Sequence, residues 1–154
     1  MLNQVEVAKQ RWGGANNTID GWLLGRKQLL IQYCELAGVN YQRRESLPDA
    51  NEVSEFCTLL MDYLSAGHFE VYEMLVGDDT TGQQLKQRLY PLIAATTDQA
   101  LDFNDSYADN FHPDHAVEFE QSIAKLGEAL VERFELEDEL IQHMHGLVQQ
   151  PVTE

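Results

Sequence analysis

The stretch Asp62-Tyr63-Leu64-Ser65-Ala66-Gly67-His68-Phe69-Glu70-Val71-Tyr72-Glu73 lies inside a helical pattern that runs from about residue 51 to 76. At ~100° per residue, one stripe of that helix holds Val53, Phe56, Cys57, Leu60, Leu64, Gly67, Val71 and Leu75. Asp62 points directly away from it. Ser65, Phe69 and Val76 fall within about 60° of Asp62, and Tyr72 stands at the border. A helix with apolar residues on two faces contacts something beyond its own core. Gly67, on the inner stripe, costs about 1 kcal/mol of helix propensity relative to Ala and allows a close approach by a neighbour.

Working outward, three more helical patterns appear. Residues 16–37, with Asn16, Asn17 or Thr18 as cap and Gly38 as stop, carry Ile19, Trp22, Leu23, Arg26, Leu30, Tyr33, Cys34 and Ala37 on one stripe. Leu24, Gln28 and Ile31 lie off it. Residues 80–108 carry Leu85, Leu89, Leu92, Thr96, Ala100, Phe103 and Tyr107, with Pro91 expected to kink or restart the helix. Residues 114–148 carry Phe119, Ile123, Leu126, Leu130, Phe134, Glu137, Ile141 and Met144. Residues 38–51 read as a loop, and 2–12 as a short helix broken by Gly13-Gly14. No alternating strand pattern is present. The expected fold is all-α: one domain forming an antiparallel four-helix bundle, with a short N-terminal helix packed across it.

Arg26 and Glu137 are charges in the middle of apolar stripes. A buried charge is costly unless paired, so they are expected to meet as an ion pair, with help from Tyr33 or Asp138.

The 154 residues carry a formal net charge of −16 and are 44% hydrophobic. That charge disfavours nucleic acid and anionic membranes as partners and favours a basic protein. No apolar run approaches the ~18 residues of a membrane span. No signal peptide is recognisable, and Cys34 and Cys57 read as free thiols in a reducing compartment, which points to the cytoplasm. Carboxylate–histidine metal sites in bundles use Glu-x-x-His pairs on facing helices. Here the order is reversed and single, His115-x-x-Glu118. His68 lacks the neighbouring cations that would stabilise a phosphoryl group, and reads as a histidine packed between helices. Metal binding or phosphotransfer is therefore the lesser reading, and no catalytic residue, metal or other cofactor is expected. On the surface, Asp62, Ser65, Phe69 and Tyr72, with Leu24, Gln28 and Ile31, combine apolar anchors with acidic surroundings, as protein interfaces do.

Met61 to Glu73 closely resembles the signature of the regulator-of-sigma-D (Rsd/AlgQ) family. Asp20-Gly-Trp-Leu-Leu-Gly-Arg-Lys-Gln-Leu-Leu30 and Leu126-Gly-Glu-Ala-Leu-Val-Glu-Arg-Phe-Glu-Leu-Glu-Asp138 resemble two further blocks of the family, in the same order. The resemblance implies an anti-sigma factor that binds the housekeeping sigma factor, chiefly its region 4, and lowers its use by RNA polymerase. It also implies the phosphocarrier protein HPr as a possible second partner. Asp62 matches the family's interface aspartate, and Tyr72 and Trp22 match motif positions. The expected state is a monomer or a weak self-associate.

Overall fold

The computed structural model describes residues 15–38, 48–112, 114 and 116–149. The expected N-terminal helix, most of the 38–51 loop and His115 lie outside them. The described chain is helical: α1 (Ala15–Ala37), α2 (Ala50–Ala66), a π-helical segment (Gly67–Val71), α3 (Tyr72–Val76), α4 (Thr80–Tyr107) and α5 (Ala116–Gln149). Among the described residues there is no strand.

Local chemistry explains the boundaries. Asp49 caps α2 through a capping box: its side chain accepts from the Glu52 amide at 2.8 Å, and Glu52 reaches back to the Asp49 N–H. Asp79 caps α4 by accepting from the Gly82 amide at 3.0 Å. Gly38 and Gly77 have positive φ (66° and 68°), the conformation that ends helices at α1 and α3 at little cost for glycine. Pro91 sits inside α4, which continues through it.

Residue pairs define the packing. Trp22 and Tyr33 of α1 meet Tyr63 and Phe56 of α2, so the two helices run antiparallel. Phe56 and Tyr72 meet Phe103 and Tyr90, which sets α2 and α3 antiparallel to α4. Thr96 and Tyr107 of α4 meet Arg133 and Ser122 of α5. Arg26 and Tyr33 of α1 meet Glu137 and the Ile123 carbonyl of α5. Each rod is thus antiparallel to its two neighbours, an up-down four-helix bundle with α2–α3 as one rod.

The core differs from the expected stripes in places. On α1 it uses Ile19, Trp22, Arg26, Leu29 and Leu36, while Leu30 is exposed. On α4, Ile93 is buried and Leu92 is exposed. Along α2–α3 the expected outward Val76 is buried, and so is Tyr72. The cause is the π turn. Its i→i+5 bonds accommodate an extra residue per turn, so residues beyond it lag by about one residue, or ~100°, behind a regular wheel. The bond from the Tyr72 N–H to the Gly67 carbonyl is such an i→i+5 bond.

Candidate partner face and the buried network behind it

Five elements deliver polar groups to one point in the core. Glu137 is 0% exposed and Arg133, one turn before it, is 1% exposed. Arg26 NH2 donates to Glu137 Oε1 at 3.1 Å, and Arg133 Nε donates to Oε2 at 3.2 Å. Tyr63 donates to Oε1 and Tyr72 to Oε2. Each tyrosine hydroxyl in turn accepts from an arginine: Tyr63 from Arg26 Nε at 3.0 Å, Tyr72 from Arg133 NH2 at 2.8 Å. Arg133 NH1 reaches α4 at Thr96 and Thr97 (3.1 and 2.7 Å), and Arg26 NH1 reaches Asp138 at 2.8 Å. Both carboxylate oxygens of Glu137 therefore receive two donors each. That satisfaction is what a buried charge needs if it is not to destabilise the fold by several kcal/mol.

Burial pushes the Glu137 carboxyl above its usual range, opposed by Arg133 and Arg26. Burial, with Glu137 adding to it, raises Tyr63 and Tyr72 above the usual tyrosine range, so both stay protonated and act as donors. For Arg26, burial works against the charge, but Tyr63, Glu137 and Asp138 outweigh it and hold the guanidinium protonated. Arg26 also stacks between Trp22 and Phe134, 5.3 and 4.8 Å from their ring centres.

The structure brings Arg26 and Glu137 together, with Asp138 alongside. Tyr33 takes no part. Its hydroxyl donates to the Ile123 carbonyl at 2.9 Å and lies over Gly127, where a Cβ would stand 2.1 Å from it. Arg133, Tyr63 and Tyr72 are the groups around Glu137 that sequence reasoning missed. Arg133 was findable: it precedes Glu137 by four residues, the spacing of a helical ion pair.

Two of the expected partner residues are almost wholly buried, each in the lining of a groove. Tyr72 is 2% exposed and Trp22 is 3% exposed. The π turn carries Tyr72 inward to Glu137. Trp22 stacks on Tyr63 with ring centres 5.4 Å apart, under the surface rather than on it. His68 is corrected in the other direction. Expected between helices, it is exposed and packs edge-on against Phe69, 4.7 Å between ring centres.

The remaining expected residues lie at the surface: Asp62, Ser65 and Phe69 on the α2 rod, Leu24, Gln28 and Ile31 on α1. Phe69 is 79% exposed, an outlying value for a ring of that size. The crest formed by Asp62, Ser65 and Phe69 separates two grooves. One, of about 430 Å³, lies toward α4 and is mainly apolar, with Ser65, His68, Phe69, Tyr90 and Leu101 in its wall. The other, about 380 Å³, lies toward α1 and includes Gln28, Asp62 and Glu70. Asp62 and Glu70 bring exposed carboxylates to this second groove, and Asp98 brings one to the first.

Among the described residues, no group of three or more His, Cys, Asp or Glu side chains is arranged to hold a metal ion. His143 pairs instead with Asp79 at 3.2 Å. Cys34 and Cys57 are free, and burial pushes the Cys57 thiol up to about 12. No described helix is long and apolar enough to cross a membrane.

The profile of the family described as "Regulator of RNA polymerase sigma(70) subunit, Rsd/AlgQ" matches residues 1–145. The chain belongs to this family. Among relatives of the family, the "Regulator of sigma D" of Enterobacter sp. (strain 638) is 43% identical over 146 residues. That of Yersinia pseudotuberculosis serotype O:1b (strain IP 31758) is 38% identical over 148 residues. Each alignment covers 92% of this chain and 88% of the relative. The Rsd/AlgQ family is one of sigma-factor regulators rather than of enzymes, and the three sequence blocks that suggested it fall on α1, on the α2 rod and on α5. The first and third blocks contribute Arg26, Arg133 and Glu137 to the buried network; the second contributes Tyr63, Tyr72 and the exposed crest.

Proposed function

We propose that this protein is an anti-sigma factor of the cytoplasm that binds the housekeeping sigma factor, mainly through region 4, and so withholds it from core RNA polymerase and promoters. The observation that carries the reading is Phe69. A nearly fully exposed aromatic ring beside Asp62 and Ser65, between two grooves, has the make-up of an interface anchor. Region 4 is a helix-turn-helix module with a basic DNA-reading surface, which suits a partner of net charge −16. The mechanism is steric: an occupied region 4 has no free surface for polymerase or promoter. Leu24, Gln28 and Ile31 extend the contact onto α1. Family membership supports the same reading, and HPr is proposed as a second partner.

Titration of purified protein with housekeeping sigma factor tests this, with sigma lacking region 4 as control. Phe69→Ala and Asp62→Ala are expected to weaken binding by roughly 1–3 kcal/mol each, the range of interface hot spots, with thermal unfolding unchanged. Equal affinity for parent and both variants would reject the face. Equal affinity for sigma without region 4 would reject the region. Adding HPr to the titration shows whether it competes.

A further inference from the structure

The residue whose N–H closes the π turn also belongs to the buried network, and it sits three positions beyond Phe69. We infer that Tyr72 is a positioning residue: clamped by Glu137 and Arg133, it holds residues 67–71 in the π turn and thereby fixes in place the segment that carries His68 and Phe69 at the surface. The inference rests on the proposed partner face for its functional meaning, but not for its structural content.

The argument begins with register. In a regular helix, Tyr72 would stand about 80° from Leu64 and so off the core face. The extra residue of the π turn rotates it back, to where its hydroxyl donates to Glu137 and accepts from Arg133 NH2 at 2.8 Å. Without the π turn Glu137 would lose one of its four donors and Arg133 one of its acceptors, at a site where Glu137 is 0% exposed. The clamp therefore favours the wide turn, and the wide turn is otherwise the less favourable helix form. Gly67 eases the arrangement. A Cβ there would stand 3.1 Å from the Tyr72 ring carbon and hydroxyl and 3.2 Å from Trp22 Nε1. The segment thus begins at a glycine packed under the Tyr72 ring and ends at that tyrosine's bonds to Glu137 and Arg133. His68, Phe69 and Glu70, three consecutive exposed residues, are what the wide turn presents to solvent.

Amide hydrogen exchange on the free protein tests the clamp. Tyr72→Phe keeps the ring and removes the hydroxyl. Phe119→Leu, in the core away from the π turn, serves as a control of similar or greater destabilisation. The expected result is exchange at residues 67–72 faster by about ten-fold or more in Tyr72→Phe, beyond any change in the control, because local opening depends on the bonds of that segment. Sigma-factor affinity should fall in Tyr72→Phe by about five-fold or more and stay at the parental value in the control. Exchange at 67–72 that is unchanged in Tyr72→Phe, or that rises equally in Phe119→Leu, overturns the inference. The partner-face reading fails separately, if Phe69→Ala binds sigma factor as tightly as the parent.

Discussion

Glu137 shows how a single acid can be tolerated in an apolar bundle. Four donors from α1, α2, α3 and α5 surround it, and two of them are cationic. Removing one partner leaves the others desolvated and unmatched, which is why a broken buried pair costs more than the pair contributes. Arg133→Met keeps the volume but strips a donor from Glu137, from the Tyr72 hydroxyl and from Thr96 and Thr97. It is expected to lower the unfolding free energy by about 3 kcal/mol, read as a shift of the urea midpoint. A change under roughly 1 kcal/mol would mean that water or Arg26 replaces the lost bonds. Arg26 and Glu137 were legible in the sequence because each interrupts an apolar stripe. Arg133 was not singled out because Phe134 beside it satisfied the same stripe. Which tyrosine would serve the pair was not legible either: Tyr33 and Tyr63 both lie on inward faces, and the choice depends on how far each sits along the bundle axis.

The helices themselves were read closely, since caps and stops are local signals. Asp79 and the glycine at 77 mark the corner between α3 and α4, and α4 begins at Thr80, as expected from the 80–108 pattern. Asp79 holds two partners there, the Gly82 amide and His143 at the far end of α5. Its carboxyl is held below the usual range, first by the Gly82 amide and then by His143. A depressed carboxyl stabilises the fold above its unfolded pKa and ceases to do so as pH falls through the folded one. Asp79→Ala is accordingly expected to lose about 1 kcal/mol at pH 7, as helix caps do. The gap to the parent should close as pH drops below 3.8, the ordinary aspartate value. A gap that persists well below that pH would assign the effect to packing instead. What the helical wheel did not reveal was the π turn. A fixed 100° step leaves out the extra residue after Gly67, and so it put Val76 on the outer face and Tyr72 at its border, although Val71 and Leu75 are buried as expected. The wide turn is decided by Tyr72 meeting a residue 65 positions away, and nothing within the helix announces that.

At the scale of the molecule, the net charge and the bundle act together. The core is closed on all four rods, so partner binding falls to the outer faces, where carboxylates outnumber cations. The proposed sigma contact should therefore weaken as salt rises from about 0.05 to 0.5 M, chiefly through a slower association rate, because screening shortens the reach of the field. An affinity and association rate that are flat across that range would assign the acidity to solubility alone. The sign of the charge was plain from composition. The division of the crest into two grooves was not, because it depends on how α1 and α4 flank the central rod.

The buried network also has a consequence in time. A ribosome delivers Arg26 first, then Tyr63 and Tyr72, and Glu137 last, 111 residues after Arg26. Until the final helix emerges, the growing chain holds an arginine meant for the interior without the carboxylate at which the network converges. The three earlier rods are therefore expected to remain a loose, protease-sensitive assembly during synthesis and to consolidate when Glu137 arrives. A chain cut short before its last helix is therefore expected to be cleaved by protease faster than the full chain, and not to persist as a partial bundle displaying the crest.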